Sequence, residues 1–357
     1  MADSQSKSPA AAAAPATDSP AFVPPTETTP PAGEQIEVDH GDSDNDSALG
    51  DDTPSTTSLS SSINNHTYEN GRRYHAYQSG SYLAPNDEAE NDRLDMHHHL
   101  AALIIGGRLT TAPIGKSPQR ILDVGCGTGI WCIDIGDEYP SAHVLGVDLS
   151  PTQPSMVPPN VQFEVDDVEA EWTFRTPFDL IHVRFLACSI IDWPKLAKQC
   201  YTHTKPGGWV EFKDWDLRIV SSDDSLSKDS YLYQYHKLLK DAIDTMRREY
   251  SPGPQLKRWA EEAGYVNVTE EIIPLPIGMW PRDKRLKEIG AWNYLCLVEG
   301  LEAICMRLFT GVFGWSIDEV QVFLAKVRTE LKDMKKNRVH PQYTYYVVVG
   351  QKPESEK

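Results

Sequence analysis

The sequence predicts an α/β protein built on a doubly wound, mostly parallel sheet, with an N-terminal extension before it and a helical cap inserted late. Three observations carry that expectation. From residue 119 onward, short apolar strands alternate with helical stretches, the pattern left by crossovers that cover both faces of a parallel sheet. The first strand runs into a glycine-rich turn, "ILDVGCGTGIW" at 121–131. Each of the first three strands ends in an acid: Asp123, Asp148 and the pair Asp166-Asp167.

Taken in order, residues 1–64 hold eleven acids against the single base Lys7, and Phe22 is their only aromatic residue. Such a segment cannot bury enough apolar surface to offset its ordering entropy and reads as a disordered, acidic Ser/Thr/Pro-rich tail. Residues 65–118 read as an N-terminal helical extension, tyrosine-rich at first, with a helix from about Asp87. Asp87 and Glu90 have capping-box spacing, and Gly106-Gly107 stops the run. Within 119–357, strands are expected at 120–124, 143–148, 161–165, 179–184 and 208–213, with helices at about 128–138 and 193–203 between them. Pro206-Gly207-Gly208 marks a sharp turn into the fifth strand. Helices follow near 229–248 and 254–263, then the strand-like "YVNVTEEIIPL" and a last strand at 343–350. The intervening stretch is too long for a structureless loop. Two helical segments fill it, so a helical insertion is expected at about 275–340.

Composition limits the functions available. The formal net charge is −18, much of it in the tail, and no basic stripe marks a nucleic-acid or anionic-membrane footprint. The six cysteines form no Cys-x-x-Cys pair and no zinc-finger spacing, which suits free thiols in a reducing compartment. There is no signal-like apolar core near the N-terminus, so the expected location is the cytoplasm or nucleus. His97-His98-His99 occupy successive helical positions, about 100° apart, and cannot converge on one metal; they read as helix surface, and no metal is expected.

The glycine turn has two candidate ligands. A dinucleotide fingerprint Gly-x-Gly-x-x-Gly needs a glycine at position 130, where Ile130 stands. Asp123 would also repel a pyrophosphate. S-adenosylmethionine carries a sulfonium and an ammonium, so an acid at that lip is favourable. Asp148, nineteen residues beyond Gly129, is placed to take both ribose hydroxyls. Leu149 can pack on the adenine. Asp167 is preferred over Asp166 as acceptor for the adenine amino group, with Val168 at the ring edge. The expected cofactor set is therefore Asp123, Gly125, Cys126, Gly127, Gly129, Asp148, Leu149, Asp167, Val168 and Arg184, and the cofactor is S-adenosyl-L-methionine.

With these residues in place the chain resembles a class I methyltransferase, a Rossmann-like seven-stranded sheet. "LDVGCGTG", Asp148 and "LAKQCYTHTKPGGWVEF" carry the resemblance. More narrowly, "ENGRRYHAYQSGSYLAPNDEAENDRLDMHHHL", "IIDWPKL", "LPIGMWPRD" and "GWSIDEV" are similar to the fungal LaeA-like methyltransferases. That resemblance implies a link to secondary metabolism, regulatory or biosynthetic, and velvet-type proteins as partners. The alternative it leaves is a cofactor-binding regulatory subunit with little turnover.

The catalytic residue is not identified by sequence. His182, Arg184 and Asp214 are candidates: the first two lie at the end of the fourth strand, where the methyl group is expected, with Phe185 alongside. A packed core role competes for His182. Asp214 and Asp216 read as acids in the loop after the fifth strand. Tyr74, His75 and Tyr77 are candidates to close over the cofactor, and Trp280, Trp292, Tyr294 and Trp315 to line an apolar substrate pocket, with core packing the competing role for each. The methyl acceptor is expected to be a small molecule or a protein. An Asn/Asp-Pro-Pro-aromatic motif is missing after the fourth strand, which disfavours a nucleic-acid base.

Overall fold

The computed structural model describes residues 66–75 and 83–354. The acidic tail expected at 1–64 and Tyr77 lie outside the described residues. A short antiparallel hairpin comes first, β1 (His66–Glu69) and β2 (Arg72–His75), turning on Asn70-Gly71. Both turn residues have positive φ, 51° and 76°, the backbone that an Asn-Gly two-residue hairpin requires.

Helix α1 (Glu88–Ile104) starts at Asp87, whose carboxylate accepts the Glu90 N–H at 3.1 Å. Only half of the expected capping box forms. The Glu90 carboxylate instead takes the Arg93 guanidinium at 2.5 and 2.8 Å, and Asp87 also binds Arg72 of the hairpin. Helix and hairpin are thereby fastened to one another.

The main sheet has seven strands: β3 (Arg120–Val124), β4 (His143–Asp148), β5 (Val161–Val165), β6 (Phe178–Arg184), β7 (Thr204–Val220), β8 (Val266–Pro276) and β9 (Gln342–Gln351). Their order is β5-β4-β3-β6-β7-β9-β8, with β9 antiparallel to both neighbours and the other pairs parallel. This is the seven-stranded sheet that the resemblance to class I methyltransferases implies. The central strands are nearly continuous apolar runs because helices cover both faces. On one face lie α2 (Ile130–Glu138) and α1; on the other α3 (Trp193–His203) and α5 (Leu256–Ala263), joined through stacked Trp193 and Trp259. Beyond the carboxyl edge, α4 (Tyr231–Thr245), α6 (Lys284–Phe313) and α7 (Ile317–Asn337) form a helical cap around Tyr235, Leu301, Phe309 and Leu324. Among the described residues no helix is long and apolar enough to cross a membrane.

The fifth strand departs from expectation. It was expected to end at 213, leaving Asp214 and Asp216 in a loop, yet β7 continues to Val220, pairing Asp214 with Tyr346 and Asp216 with Thr344 of β9. The acids are tolerated inside the strand because each has partners. Asp214 accepts backbone N–H groups, and Asp216 binds Arg218 at 2.5 Å.

Candidate functional site

The turn after β3 is shaped by backbone geometry. Gly125, Gly127 and Gly129 have φ of 73°, 56° and 79°, a conformation side-chain-bearing residues rarely adopt. Gly129 also lies under Phe163, whose ring stands 2.4 Å from where a Cβ would be, so helix α2 packs close to the sheet. A Cβ on Gly127 would meet only Leu94, at 3.6 Å. The N–H groups of Gly125 and Cys126 donate to the Val147 carbonyl at 2.8 and 3.0 Å. Thr152 and Gln153 donate to the Gly127 carbonyl at 3.1 and 2.6 Å, and Thr128 donates to Asp95 of α1 at 2.6 Å.

This turn forms one wall of a cavity of about 420 Å³ at the carboxyl ends of β3, β4, β5 and β6. Of the residues expected to hold a cofactor, Asp123, Gly125, Cys126, Gly127, Asp148, Leu149, Asp167, Val168 and Arg184 all line it. Gly129 does not; it sits behind the wall as the residue before α2. Asp166 lines the cavity too but is exposed, whereas Asp167 is half-buried. Each has a local bond: Asp166 accepts the Asp167 N–H and Asp167 that of Glu169, at 2.8 and 2.9 Å. Pro85, Asn86, Asn91 and Leu94 bring the N-terminal extension over the mouth. Sequence reasoning missed them, because no local pattern shows that α1 crosses the turn.

Two carboxylates dominate the electrostatics. Asp148 accepts the Gly127 and Ser150 N–H groups, each at 2.9 Å, one on each oxygen. Burial raises its pKa against those bonds. Asp123 is 4% exposed, and burial pushes it up to about 6, with Arg184 pulling the other way. Both acids sit where a cationic ligand would lower their energy. Tyr74 is fully buried beneath the Arg307 guanidinium, while His75 is close enough to Asp148 to favour its charge.

At the end of β6 the chain turns through Phe185, a residue with φ of 60°. A bulky residue in that region is strained. Asp214 holds it there: one carboxylate oxygen accepts the N–H groups of Leu186 and Ala187 at 2.7 and 3.1 Å, the other that of Trp215 at 2.8 Å. Burial nevertheless pushes Asp214 up to about 7. The Phe185 ring stacks on Trp215, with 5.3 Å between centroids. Phe185, Leu94 and Ser189 line the first cavity and also a second one of about 180 Å³, which runs between α1, β7, α4, α6 and β9. The second cavity is mostly apolar, with Trp215, Leu239 and Leu297 among its walls.

The catalytic candidates separate. Arg184 lies in the first cavity, its guanidinium 5.1 Å from the Phe185 ring centre and 3.2 Å from His98 Nδ1. His182 lines neither cavity: it is fully buried, stacked on Trp131 at 3.8 Å and bonded to Glu211 at 3.1 Å, and burial lowers it to about 3. Asp214 belongs to the turn's support and lines neither cavity, which corrects its reading as a loop acid facing substrate.

The histidine triplet is also corrected. Only His99 is exposed, edge-on to Trp292. His98 is buried between Arg184 and Asp134, and His97 lines the second cavity with its Nε2 3.0 Å from Arg93. Of the aromatics offered as pocket lining, Trp280, Trp292, Tyr294 and Trp315 line neither cavity. They pack elsewhere, Trp280 against His340 and Trp315 against Phe309 and Phe323.

Residues 96–270 match the family described as a methyltransferase domain. The chain is 44% identical to methyltransferase pytC of Aspergillus terreus over 92% of its own length and 98% of that protein. It is 38% identical to the secondary metabolism regulator LAE1 of Cochliobolus heterostrophus, covering 82% of this chain and 96% of that one. It is 33% identical to the secondary metabolism regulator laeA of Monascus pilosus, covering 94% and 93%.

Proposed function

This chain belongs to the methyltransferase-domain family, in the group shared with pytC and the LaeA and LAE1 regulators, and on that premise we propose that it moves a methyl group from S-adenosylmethionine to an apolar small molecule. The observation that carries this reading is the junction at Phe185, where a cavity rimmed by strand-end acids meets an apolar one.

The residues present fit the cofactor. The Gly127 backbone presents no side chain to the cavity, which lets a ligand approach closely. Each Asp148 oxygen retains a lone pair beyond its backbone bond, enough for two ribose hydroxyls. Asp123 places negative charge in a dry setting opposite cationic groups, and Arg184 offers a cation to the amino-acid carboxylate. Asp167 would accept from the adenine amino group, with Leu149 and Val168 in the same wall to meet the ring. When bound, S-adenosylmethionine supplies an electrophilic methyl group. The protein's part is to hold the acceptor in line with it and to exclude water, which Phe185, Leu94 and Trp215 do with apolar surface.

A second reading rests on the likeness to the two secondary metabolism regulators. In it the cofactor-loaded chain acts in the cytoplasm or nucleus as a regulatory subunit, with velvet-type proteins as partners and little turnover. Calorimetric titration of the full chain with S-adenosylhomocysteine, with NAD as control, tests the cofactor. Binding of the former alone supports the assignment, and binding of NAD instead overturns it. Methyl release with candidate acceptors then separates enzyme from regulatory subunit.

A further inference from the structure

Among the polar side chains in the wall of the second cavity, three are hydrogen-bonded in a row: Tyr343 of β9, His236 of α4 and Tyr250. All are nearly buried, at 5%, 5% and 4% exposure. They form a chain whose direction is fixed. Tyr250 donates its only proton to the Leu217 carbonyl at 3.2 Å. Toward His236 Nδ1, at 3.2 Å, it can therefore only accept, so Nδ1 carries the imidazole proton. His236 Nε2 is then a bare acceptor, and the Tyr343 hydroxyl, at 2.9 Å, donates to it. Burial keeps the imidazole neutral. The Tyr343 oxygen is left with its proton committed and its remaining capacity acceptor-only.

We infer that Tyr343, polarised by His236 and Tyr250, selects methyl acceptors that present a hydroxyl or N–H donor on a flat apolar body. This inference rests on the second cavity being the acceptor site. The cavity is little larger than one that holds benzene, so the body that enters is of one or two rings. Its walls supply aromatic surface, with Phe185 stacked on Trp215 at 5.3 Å and Trp215 edge-on to Tyr343 at 6.0 Å between centroids. Tyr343 thus lies one indole further in than the Phe185 junction and reads a group remote from the methyl donor. A buried acceptor left unpaired disfavours an analogue lacking the donor. Tyr343 and the two residues behind it are specificity and positioning residues. Deprotonating the acceptor is not their task, because an imidazolium would be formed in a dry wall.

The test uses the full chain loaded with S-adenosylhomocysteine, with 2-naphthol and 2-methoxynaphthalene as probes read by Trp fluorescence. The inference expects 2-naphthol to bind ~10- to 100-fold tighter. Tyr343→Phe should bring 2-naphthol down to the level of the ether and leave the ether and S-adenosylhomocysteine unchanged. Tyr250→Phe frees Nδ1 of its acceptor and should erode the same preference while Tyr343 remains. Imidazole 15N shifts should show His236 protonated on Nδ1 in the parent and redistributed in that variant. Equal affinity for the two probes, equal loss of both in Tyr343→Phe, or no binding of either at millimolar concentration would overturn the inference. Failure of S-adenosylhomocysteine itself to bind would instead strike the cofactor reading.

Discussion

Replacing Asp123 with asparagine should make the protein more stable and a poorer binder at once. The carboxylate sits at the end of β3, 4% exposed, with the Cys132 thiol 3.3 Å away as a weak donor. Burial lifts its pKa from 3.8 to about 6. A raised folded-state value means the folded protein binds the proton more tightly than the unfolded chain. Stability therefore gains as pH falls from above 6 toward 4, and above 6 the buried charge is a cost. Two units correspond to ~3 kcal/mol at most. The amide carries no charge at any pH, so Asp123→Asn should gain up to ~3 kcal/mol at pH 8, less the cost of any unpaired amide N–H. The gain should shrink through pH 6 and vanish near 4. Loss of the negative charge should weaken S-adenosylmethionine binding ~10- to 100-fold, the range of one charged contact. Urea denaturation at pH 8 and 4.5 measures the first effect and calorimetric titration the second. A variant less stable than the parent at pH 8, or one binding within threefold of it, would refute the assignment of Asp123 as a strained, ligand-facing acid.

Two further outcomes follow from the same geometry. Asp148→Ala removes the acceptor for the Gly127 and Ser150 N–H groups and, on the proposed reading, both ribose contacts; S-adenosylhomocysteine affinity should fall at least ~100-fold by calorimetry in a protein that still melts cooperatively. Asp214→Ala orphans three backbone N–H groups around Phe185; denaturant unfolding should register a loss of ~3 kcal/mol or more, and normal stability would show that the turn does not depend on it.

Much of the fold was legible because its signals are local. Apolar runs bounded by glycine and proline located the sheet strands, and the acid at each strand end pointed to the edge where a ligand would lie. Other features are local as well but were overlooked. Asn70-Gly71 marks the hairpin, and an Asn-Gly pair between alternating residues is a strong turn signal. The length of β7 escaped because buried Asp214 and Asp216 look like loop residues until their backbone partners are known. His97 and His98 looked like surface because the α1 sequence does not show that Arg184, Phe185 and Trp215 approach it from another element. The chain from Tyr343 to His236 joins residues 107 positions apart, which no window of sequence can contain.

The placement of β9 between β7 and β8 has a consequence for how the protein is made. The strand that joins these two is the last in chain order of the nine among the described residues, so neither has its final neighbour until residues 342–351 have left the ribosome. Strands β3 to β6, by contrast, pair only with one another and with β7, so all their ladder partners have been made once the chain has passed residue 220. Synthesis therefore delivers the strand-end acids and, with Arg248, the rest of the first cavity's wall before the apolar cavity, whose wall waits for Tyr343. For the time needed to add some 120 residues, at about 5–20 residues per second, the nascent chain holds the strand-end acids without the apolar cavity and with an open β7 edge. That interval, on the order of ten seconds, is when the chain has most to gain from a chaperone.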